Sequence, residues 1–210
     1  MPVAVVRLPR MRGDDVRAAA DTALEFLEPR LGRDWSAAIP GMDFTVASVL
    51  AHAAQGPLWY SLDLIGGTED EAAFEVGVRA DTEPRALLCS LNSAARLCAI
   101  SVDAHPSSAR GFHPMGAADP SGFAAMACAE ILVHTHDAAT GWGEDFQPGR
   151  ELARRVLARL FPWQEPGEDA WRSLLWVHGR VELAGARGGR GWRWHTAPVS
   201  GWDGKAPSVG

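Results

Sequence analysis

A glutamate and a histidine stand four residues apart in an apolar stretch of the chain, at Glu130 and His134. In a helix, residues four apart lie on one face about one turn from each other, so both side chains can reach one metal ion. Asp137 continues this stripe, where it can accept a hydrogen bond from the other ring nitrogen of a metal-binding His134. His136 is rotated from His134 by about 200° around the helix. The spacing therefore predicts a metal site that uses His134 and not His136.

A third ligand is predicted at His52, which interrupts the apolar face of another predicted helix. His52, Glu130 and His134 would leave one position for water or substrate, which is typical of catalytic zinc, whereas structural zinc is usually held by four ligands. Two simpler interpretations stay open. The Glu130 and His134 pair is also found as an ordinary polar pair near a helix end, and a lone core histidine is often satisfied by a backbone carbonyl group.

Local signals predict the helix that carries Glu130 and His134. Asp119 is the expected N-cap, Pro120 occupies the first turn, and Gly141 is expected to end the helix in a left-handed conformation. Such a helix is about 30 Å long.

The helix that carries His52 is predicted from about Asp43 to Ile65. Gly56-Pro57 lies inside this range, and the proline removes the hydrogen bond to the carbonyl group of Ala53. We therefore expect a kink one turn after His52. A broken local rule of this kind is expected at a functional site.

Four further helices complete the predicted secondary structure. The first is capped by Asp14 or Asp15 and ends at Pro29, and the second starts with Thr82-Glu83-Pro84 as its N-cap and first turn and ends before His105. The other two run from Arg150 to Leu160 and from Asp169 to Leu183. Trp192-Arg193-Trp194 alternates as a short strand would. The connection over residues 104–118 is long enough to be a functional loop, and it carries His113.

Composition narrows the classes of function. A net charge of −6 with scattered basic residues argues against nucleic acid and anionic membranes as partners, because phosphate binding needs a concentrated basic face. Three cysteines without framework spacing suit a reducing compartment, and we expect a cytoplasmic location. Six of the nine tryptophans follow residue 160, which predicts that a Trp-rich C-terminal part packs back onto the main body.

Two segments resemble signatures of the mycothiol-dependent maleylpyruvate isomerase family, within the wider DinB-like metal-binding superfamily. The first runs from Asp34-Trp35 through Pro40-Gly41-Met42-Asp43-Phe44 to His52, and the second runs from Glu130 to Asp137. The resemblance covers about residues 10–145, with both segments in the order found in the family.

The resemblance implies an all-α fold, an up-down-down-up four-helix bundle that binds one divalent metal, usually zinc, through His52, Glu130 and His134. It also implies an enzyme that activates a low-molecular-weight thiol, such as mycothiol, for attack on a small electrophile. We accordingly predict a bundle domain over residues 1–147 and a short helical, Trp-rich extension over residues 148–210. The isomerase has a C-terminal α/β domain that this chain lacks room for, which argues against maleylpyruvate as the substrate.

Four further residues are candidates for catalysis or for binding an anionic thiol or substrate: Arg180, Arg193, His195 and His113. As surface residues Arg180, Arg193 and His195 need no such role, and for His113 an ordinary loop position is the stronger interpretation. Two other functions stay open on the same ligands, a zinc-dependent hydrolase that activates water and a non-catalytic metal-binding or small-molecule-binding bundle. The chain is expected to be a monomer or a homodimer.

Overall fold

The computed structural model describes residues 10–67, 75–165, 167–183 and 193–206. Within these ranges the chain forms six α-helices and no strand, which confirms the predicted all-α fold. The helices are α1 (Gly13–Leu27), α2 (Val46–Gly66), α3 (Pro84–Ala104), α4 (Pro120–Gly141), α5 (Arg150–Leu160) and α6 (Ala170–Val177). Two short 3-10 helices lie at Glu28–Arg30 and Val199–Gly201.

The bundle is organised around α4. Helices α1 and α2 each pack against both α3 and α4, while α5 packs on α4 and α6 packs on α5. Because neighbours cover α4 on several sides, most of its residues are buried and its sequence is apolar all round. The up-down-down-up order stays a prediction of the family resemblance.

Helix α4 begins where the sequence predicts. Asp119 is the N-cap, and its Oδ1 accepts a hydrogen bond of 2.7 Å from the backbone N–H of Gly122. The predicted left-handed stop at Gly141 is wrong, because the left-handed residue is Gly143, with φ of 69°. Gly141 instead permits close packing, since a Cβ atom there would lie 2.8 Å from Val46 Cγ2.

Helix α2 begins at Val46, three residues after the predicted start at about Asp43, and Thr45 is its N-cap. Ser48 donates its backbone N–H to Thr45 Oγ1 at 3.2 Å, and the backbone N–H of Thr45 donates to Ser48 Oγ at 2.8 Å. Pro57 lies inside the helix as expected. The kink itself stays a prediction.

The predicted cap of α1 is also corrected. The N-cap is Arg12, and its backbone N–H donates to Asp15 Oδ2 at 2.8 Å. Asp15 therefore acts from the first turn of the helix and not from its cap. Helices α3 and α5 lie where the sequence predicts them.

Helix α6 is shorter than the predicted range of Asp169 to Leu183. It ends at Val177 because Gly179 takes a left-handed conformation with φ of 71°. The N–H of Gly179 then donates to Trp176 O, and the N–H of Arg180 donates to Leu175 O, which is a Schellman motif. This turn directs Arg180 back toward α4.

The predicted strand at residues 192–194 is wrong for the two residues that the structure describes, and Trp192 lies outside the described residues. Arg193 is exposed, and Trp194 is buried without strand pairing. The N–H of His195 donates to Leu160 O, at the end of α5, instead of to a neighbouring strand. The division into domains at residues 147 and 148 stays a prediction.

Among the described helices, α3 is long and apolar enough to cross a membrane by length and composition alone. Half of its most apolar window is buried inside the bundle, and core helices of soluble proteins meet the same criterion. This is weak support for a membrane span. The expected absence of a membrane partner stays a prediction.

Candidate metal centre

A cavity of about 190 Å³ opens between α2, α4 and the segments that follow α6. It is lined by His52, Ala129, Glu130, Val133, His134, His178, Arg180 and Trp194. The polar groups include three histidines, a carboxylate and a guanidinium group. The cavity therefore combines potential metal ligands with a fixed positive charge.

One ligand atom from each of His52, Glu130 and His134 lies within 4.8 Å of the others. Glu130 Oε2 is 3.0 Å from His134 Nε2 and 3.8 Å from His52 Nε2. With metal–ligand bonds of about 2.0–2.1 Å, tetrahedral ligand atoms are separated by about 3.3 Å. The three residues are therefore spaced as ligands of one ion, with only small adjustments.

The orientation of Glu130 Oε2 supports the same interpretation. This atom is buried and makes no well-aligned hydrogen bond among the described residues, although two imidazole nitrogens face it. A buried carboxylate oxygen between two imidazole nitrogens needs a positive charge beside it, either a proton on a histidine or a metal ion. The donor set thus fits a divalent metal ion.

Asp137 fixes the orientation of His134. The Nδ1–H group of His134 donates to Asp137 Oδ2 at 2.9 Å, which leaves Nε2 directed at Glu130. Burial alone would lower the pKa of His134, but the hydrogen bond to Asp137 and the close approach of Glu130 raise it to about 9. The site therefore strongly favours a positive charge at His134, whether a proton or a metal ion supplies it.

Asp137 is itself held by Arg180. The guanidinium Nε donates to Oδ1 at 3.0 Å and Nη2 donates to Oδ2 at 2.8 Å, a two-pronged contact. Burial alone would raise the pKa of Asp137, but the hydrogen bonds from His134 and Arg180 lower it to about 2. Asp137 consequently stays ionised throughout the neutral range.

Glu130 is positioned by α2 as well as by its own helix. The hydroxyl group of Tyr60 donates to Glu130 Oε1 at 3.2 Å. Gly56 faces the same side chain, and a Cβ atom at this position would lie 2.9 Å from Glu130 Cγ. Burial alone would raise the pKa of Glu130, but the neighbouring His134 and His52 lower it. Gly56, the residue before Pro57, thus permits α2 and α4 to approach at the site.

His52 provides the open side of the site. Its side chain is 52% exposed, whereas the side chains of Glu130 and His134 are each 13% exposed. Partial burial lowers the pKa of His52, so its ring is neutral and able to bind a metal at neutral pH. A ligand from solvent would approach on this side.

The other predicted candidates occupy different places. Arg180 lines the cavity, while Arg193 and His195 do not. His113 lies beside the cavity wall, with its ring 5.9 Å from that of Tyr60 and 6.1 Å from that of Trp194. Burial lowers the pKa of His113, and its Nδ1 accepts a hydrogen bond from the backbone N–H of Met115.

Sequence reasoning missed three residues of this site, Tyr60, His178 and Trp194. Tyr60 carried a usable signal, because it is the single tyrosine of the chain and follows His52 by two turns of the same helix. His178 and Trp194 reach the cavity only through the packing of the C-terminal part. No spacing in the sequence indicates that contact.

Comparison with known proteins gives one match. The family model described as the mycothiol maleylpyruvate isomerase N-terminal domain matches residues 16–139, more than half of the chain. The matched range contains His52, Glu130 and His134 but ends before α5. Neither the curated proteins nor the solved structures give a match.

Proposed function

Because the chain belongs to the mycothiol maleylpyruvate isomerase N-terminal domain family, we propose that it is a metal-dependent enzyme of thiol chemistry. In this proposal His52, Glu130 and His134 hold one divalent ion, zinc in the first place. The enzyme joins a low-molecular-weight thiol, such as mycothiol, to a small electrophile as a transferase or an isomerase. The observation that carries the proposal is the convergence of three ligand atoms on a cavity that is open at His52.

The chain supplies orientation and charge for this chemistry. A bound divalent ion would lower the pKa of a thiol in the cavity and so generate a nucleophile without a cysteine of the protein. Asp137 keeps the Nδ1–H form of His134, so that Nε2 remains available for the ion. Tyr60 restrains one oxygen of Glu130 and leaves the other directed at the histidines.

Arg180 is the candidate for binding an anionic group of the thiol or the electrophile. A guanidinium group has five N–H donors, and those that Arg180 uses here contact Asp137 and the carbonyl group of His178. Its place in the cavity wall leaves donors for a carboxylate or a phosphate. Arg193 and His195 are less suited to this role because they do not line the cavity.

The size of the cavity limits what enters it. A volume of about 190 Å³ lies below the roughly 300–1,000 Å³ typical of ligand pockets. We infer that only the reactive end of the thiol and a compact electrophile enter. The rest of a large thiol would then lie outside, on the exposed side of His52.

Location and partners follow the same proposal. The three cysteines are free, with Cys98 and Cys128 buried and Cys89 exposed, and free thiols suit a reducing cytoplasm. Burial raises the pKa of Cys98 to about 12, so this thiol is not a nucleophile near neutral pH. The nucleophile is therefore expected to come from a small-molecule thiol.

Metal analysis followed by turnover tests the proposal. The purified protein should contain, or take up from added Zn²⁺, about one divalent ion per chain. With the ion bound, it should consume a reactive aryl halide or an unsaturated carboxylic acid only when a low-molecular-weight thiol is present. Thiol-independent ester hydrolysis would identify a hydrolase instead. Metal binding without turnover of any kind would identify a binding protein, and the absence of metal uptake would reject the site.

A further inference from the structure

Four consecutive residues near the C-terminus, Trp194 to Ala197, form a segment that we call the strap. The strap lies against the N-terminal end of α4, the C-terminal end of α5 and the loop before α4. It lies outside the matched family domain. Its first residue, Trp194, lines the candidate metal cavity.

A buried arginine of α5 holds the strap. Arg159 is only 1% exposed, and its Nη1 donates to His195 O at 2.7 Å while its Nη2 donates to the carbonyl oxygens of Thr196 and Ala197, each at 3.1 Å. The same guanidinium group donates to Asp119 Oδ1 at 2.6 Å, where Asp119 is the N-cap of α4. A guanidinium group buried to this degree requires such a set of acceptors. Three of these acceptors belong to the strap.

Two further hydrogen bonds fix the strap from other elements. The N–H of His195 donates to Leu160 O at 2.8 Å, and the hydroxyl group of Thr196 donates to Gly116 O at 2.9 Å. Gly122 in the first turn of α4 leaves room for this contact, because a Cβ atom there would lie 2.4 Å from Thr196 O. These hydrogen bonds hold the strap in one defined position on the bundle, which we call its seat.

The seat determines where the indole ring of Trp194 lies. Its Nε1–H group donates to His178 Nε2 at 3.3 Å, and the Nδ1–H group of His178 donates to Leu174 O at 2.8 Å. Trp194 is 8% exposed and His178 is 5% exposed, so each ring shields the other. The indole ring forms a rigid apolar wall of the cavity, next to the two buried ligands Glu130 and His134.

We propose that Trp194 is the residue that limits the width of the ligands admitted to the metal cavity, and that Arg159 is the positioning residue that seats it. The limit on ligands rests on the proposed function, whereas the seating by Arg159 does not. A compact thiol is admitted, while a wide aromatic thiol is excluded by the indole ring. Removal of the ring opens the cavity to the wide ligand.

Chemical protection of His178 tests the seating without any metal. Diethyl pyrocarbonate modifies neutral imidazole nitrogens, and burial lowers the pKa of His178 to about 4, so only shielding protects it at pH 7. In Arg159→Met we expect His178 to be modified at least about tenfold faster than in the wild type, as measured by peptide mass spectrometry. His136 is the internal control, because it is buried beneath Trp171 on the other face of α4 and should stay protected.

Arg155→Met is the matched control variant. Arg155 lies on the same helix and donates to Asp15 and to the carbonyl group of Arg10, with no bond to the strap. It should leave the protection of His178 unchanged. Two results would overturn the role of Arg159 in positioning the strap. One is that His178 is as well protected in Arg159→Met as in the wild type, and the other is that Arg159→Met and Arg155→Met lose the protection of His178 equally.

A second variant covers the case in which Arg159→Met does not fold. Gly122→Ala keeps the charge of Arg159 but places a methyl group 2.4 Å from Thr196 O and 2.8 Å from Arg159 Nη2, while alanine itself favours the helix. It should expose His178 as Arg159→Met does, with His136 still protected. A folded Gly122→Ala protein with full protection of His178 contradicts the proposal.

The limit on ligands is tested with the protein loaded with Co²⁺, whose visible absorption changes when a thiol binds. Trp194→Ala should bind 2-naphthalenethiol at least about tenfold more tightly than the wild type does, and 2-mercaptoethanol with less than about threefold change. Equal effects on the two thiols, or no effect on either, overturn the role of Trp194 as the limiting wall. If the protein takes up no Co²⁺, the proposed metal site fails, and the protection of His178 still decides the seating by Arg159.

Discussion

The two faces of α4 carry one histidine each, and the two histidines have opposite properties. His134 faces α2 and the cavity, where it lies between the carboxylates of Glu130 and Asp137. His136 faces α6, where its ring is 5.9 Å from that of Trp171 and its Nδ1 has no hydrogen-bond partner among the described residues. The pKa of His134 is raised to about 9, whereas burial lowers the pKa of His136.

The neighbours of each histidine, and not its residue type, give α4 its chemistry. Both histidines lie on one helix within two positions of each other, and both are largely buried. Only His134 has a carboxylate at each ring nitrogen, an arrangement that attracts a cation. The face of His136 is a packing face, and the face of His134 is the candidate site.

Affinity for Zn²⁺ should separate the two faces of α4 by a wide margin. His134→Ala and His52→Ala should abolish tight binding of Zn²⁺, because each removes one of the three proposed ligands, while His136→Ala should bind nearly as the wild type does. Titration against a competing chelator measures the order. If His136→Ala were as damaging as His134→Ala in a folded protein, the assignment of the two faces would be wrong.

A smaller effect is expected for the residue behind His134. Asp137→Asn keeps the shape of the side chain but weakens its hold on His134 Nδ1 and on Arg180. Loss of such a contact typically costs about 10–100-fold in metal affinity, so this variant should fall between His136→Ala and His134→Ala. An affinity equal to that of the wild type would show that Asp137 does not orient the ligand.

The residues that share the face of His134 were predictable from local sequence rules, because all of them except His52 lie on one helix. Asp119 and Pro120 set the start of α4, and the helical period then places Glu130, His134 and Asp137 on one stripe. His52 was recognisable because it interrupts an apolar pattern. These inferences need only local geometry.

The remainder of the site depends on tertiary packing and was not predictable in the same way. The sequence predicts α6 to continue through Arg180, but the turn at Gly179 ends it and directs Arg180 to Asp137. A glycine after His178 is a recognised signal for a helix end, so the sequence itself indicates that α6 ends near His178. The contact of Trp194 with His178 depends on Arg159, and its partners are far apart in the sequence.

Dependence of stability on pH should also distinguish the faces in metal-free protein. A pKa of His134 raised from 6.5 to about 9 means that the folded state binds a proton more tightly than the unfolded state does. This contribution, on the order of 3 kcal/mol, is complete below pH 6.5 and is lost as the pH rises through 9. Wild type and His134→Gln, unfolded with urea in the presence of a chelator, should therefore differ most at pH 6 and least at pH 9.5.

The control for that experiment is His136→Gln. Because the pKa of His136 is lowered, its contribution has the opposite sign and is lost as the pH falls below 6.5. The stability difference between this variant and the wild type should therefore not shrink between pH 6.5 and 9.5. The same trend with pH in both variants would contradict the distinction between the two faces.

A substitution on the packing face alone should have little effect. His136→Phe keeps an aromatic ring against Trp171 and removes a buried nitrogen that has no hydrogen-bond partner among the described residues. Removal of such a group relieves a desolvation cost of about 1–3 kcal/mol, which the slightly larger ring partly offsets. We expect the free energy of unfolding to change by no more than about 1 kcal/mol, toward greater stability, with unchanged affinity for Zn²⁺. A loss of more than about 2 kcal/mol would mean that the His136 nitrogen has a partner that stabilises the fold, and a loss of Zn²⁺ affinity would mean that the two faces of α4 are coupled.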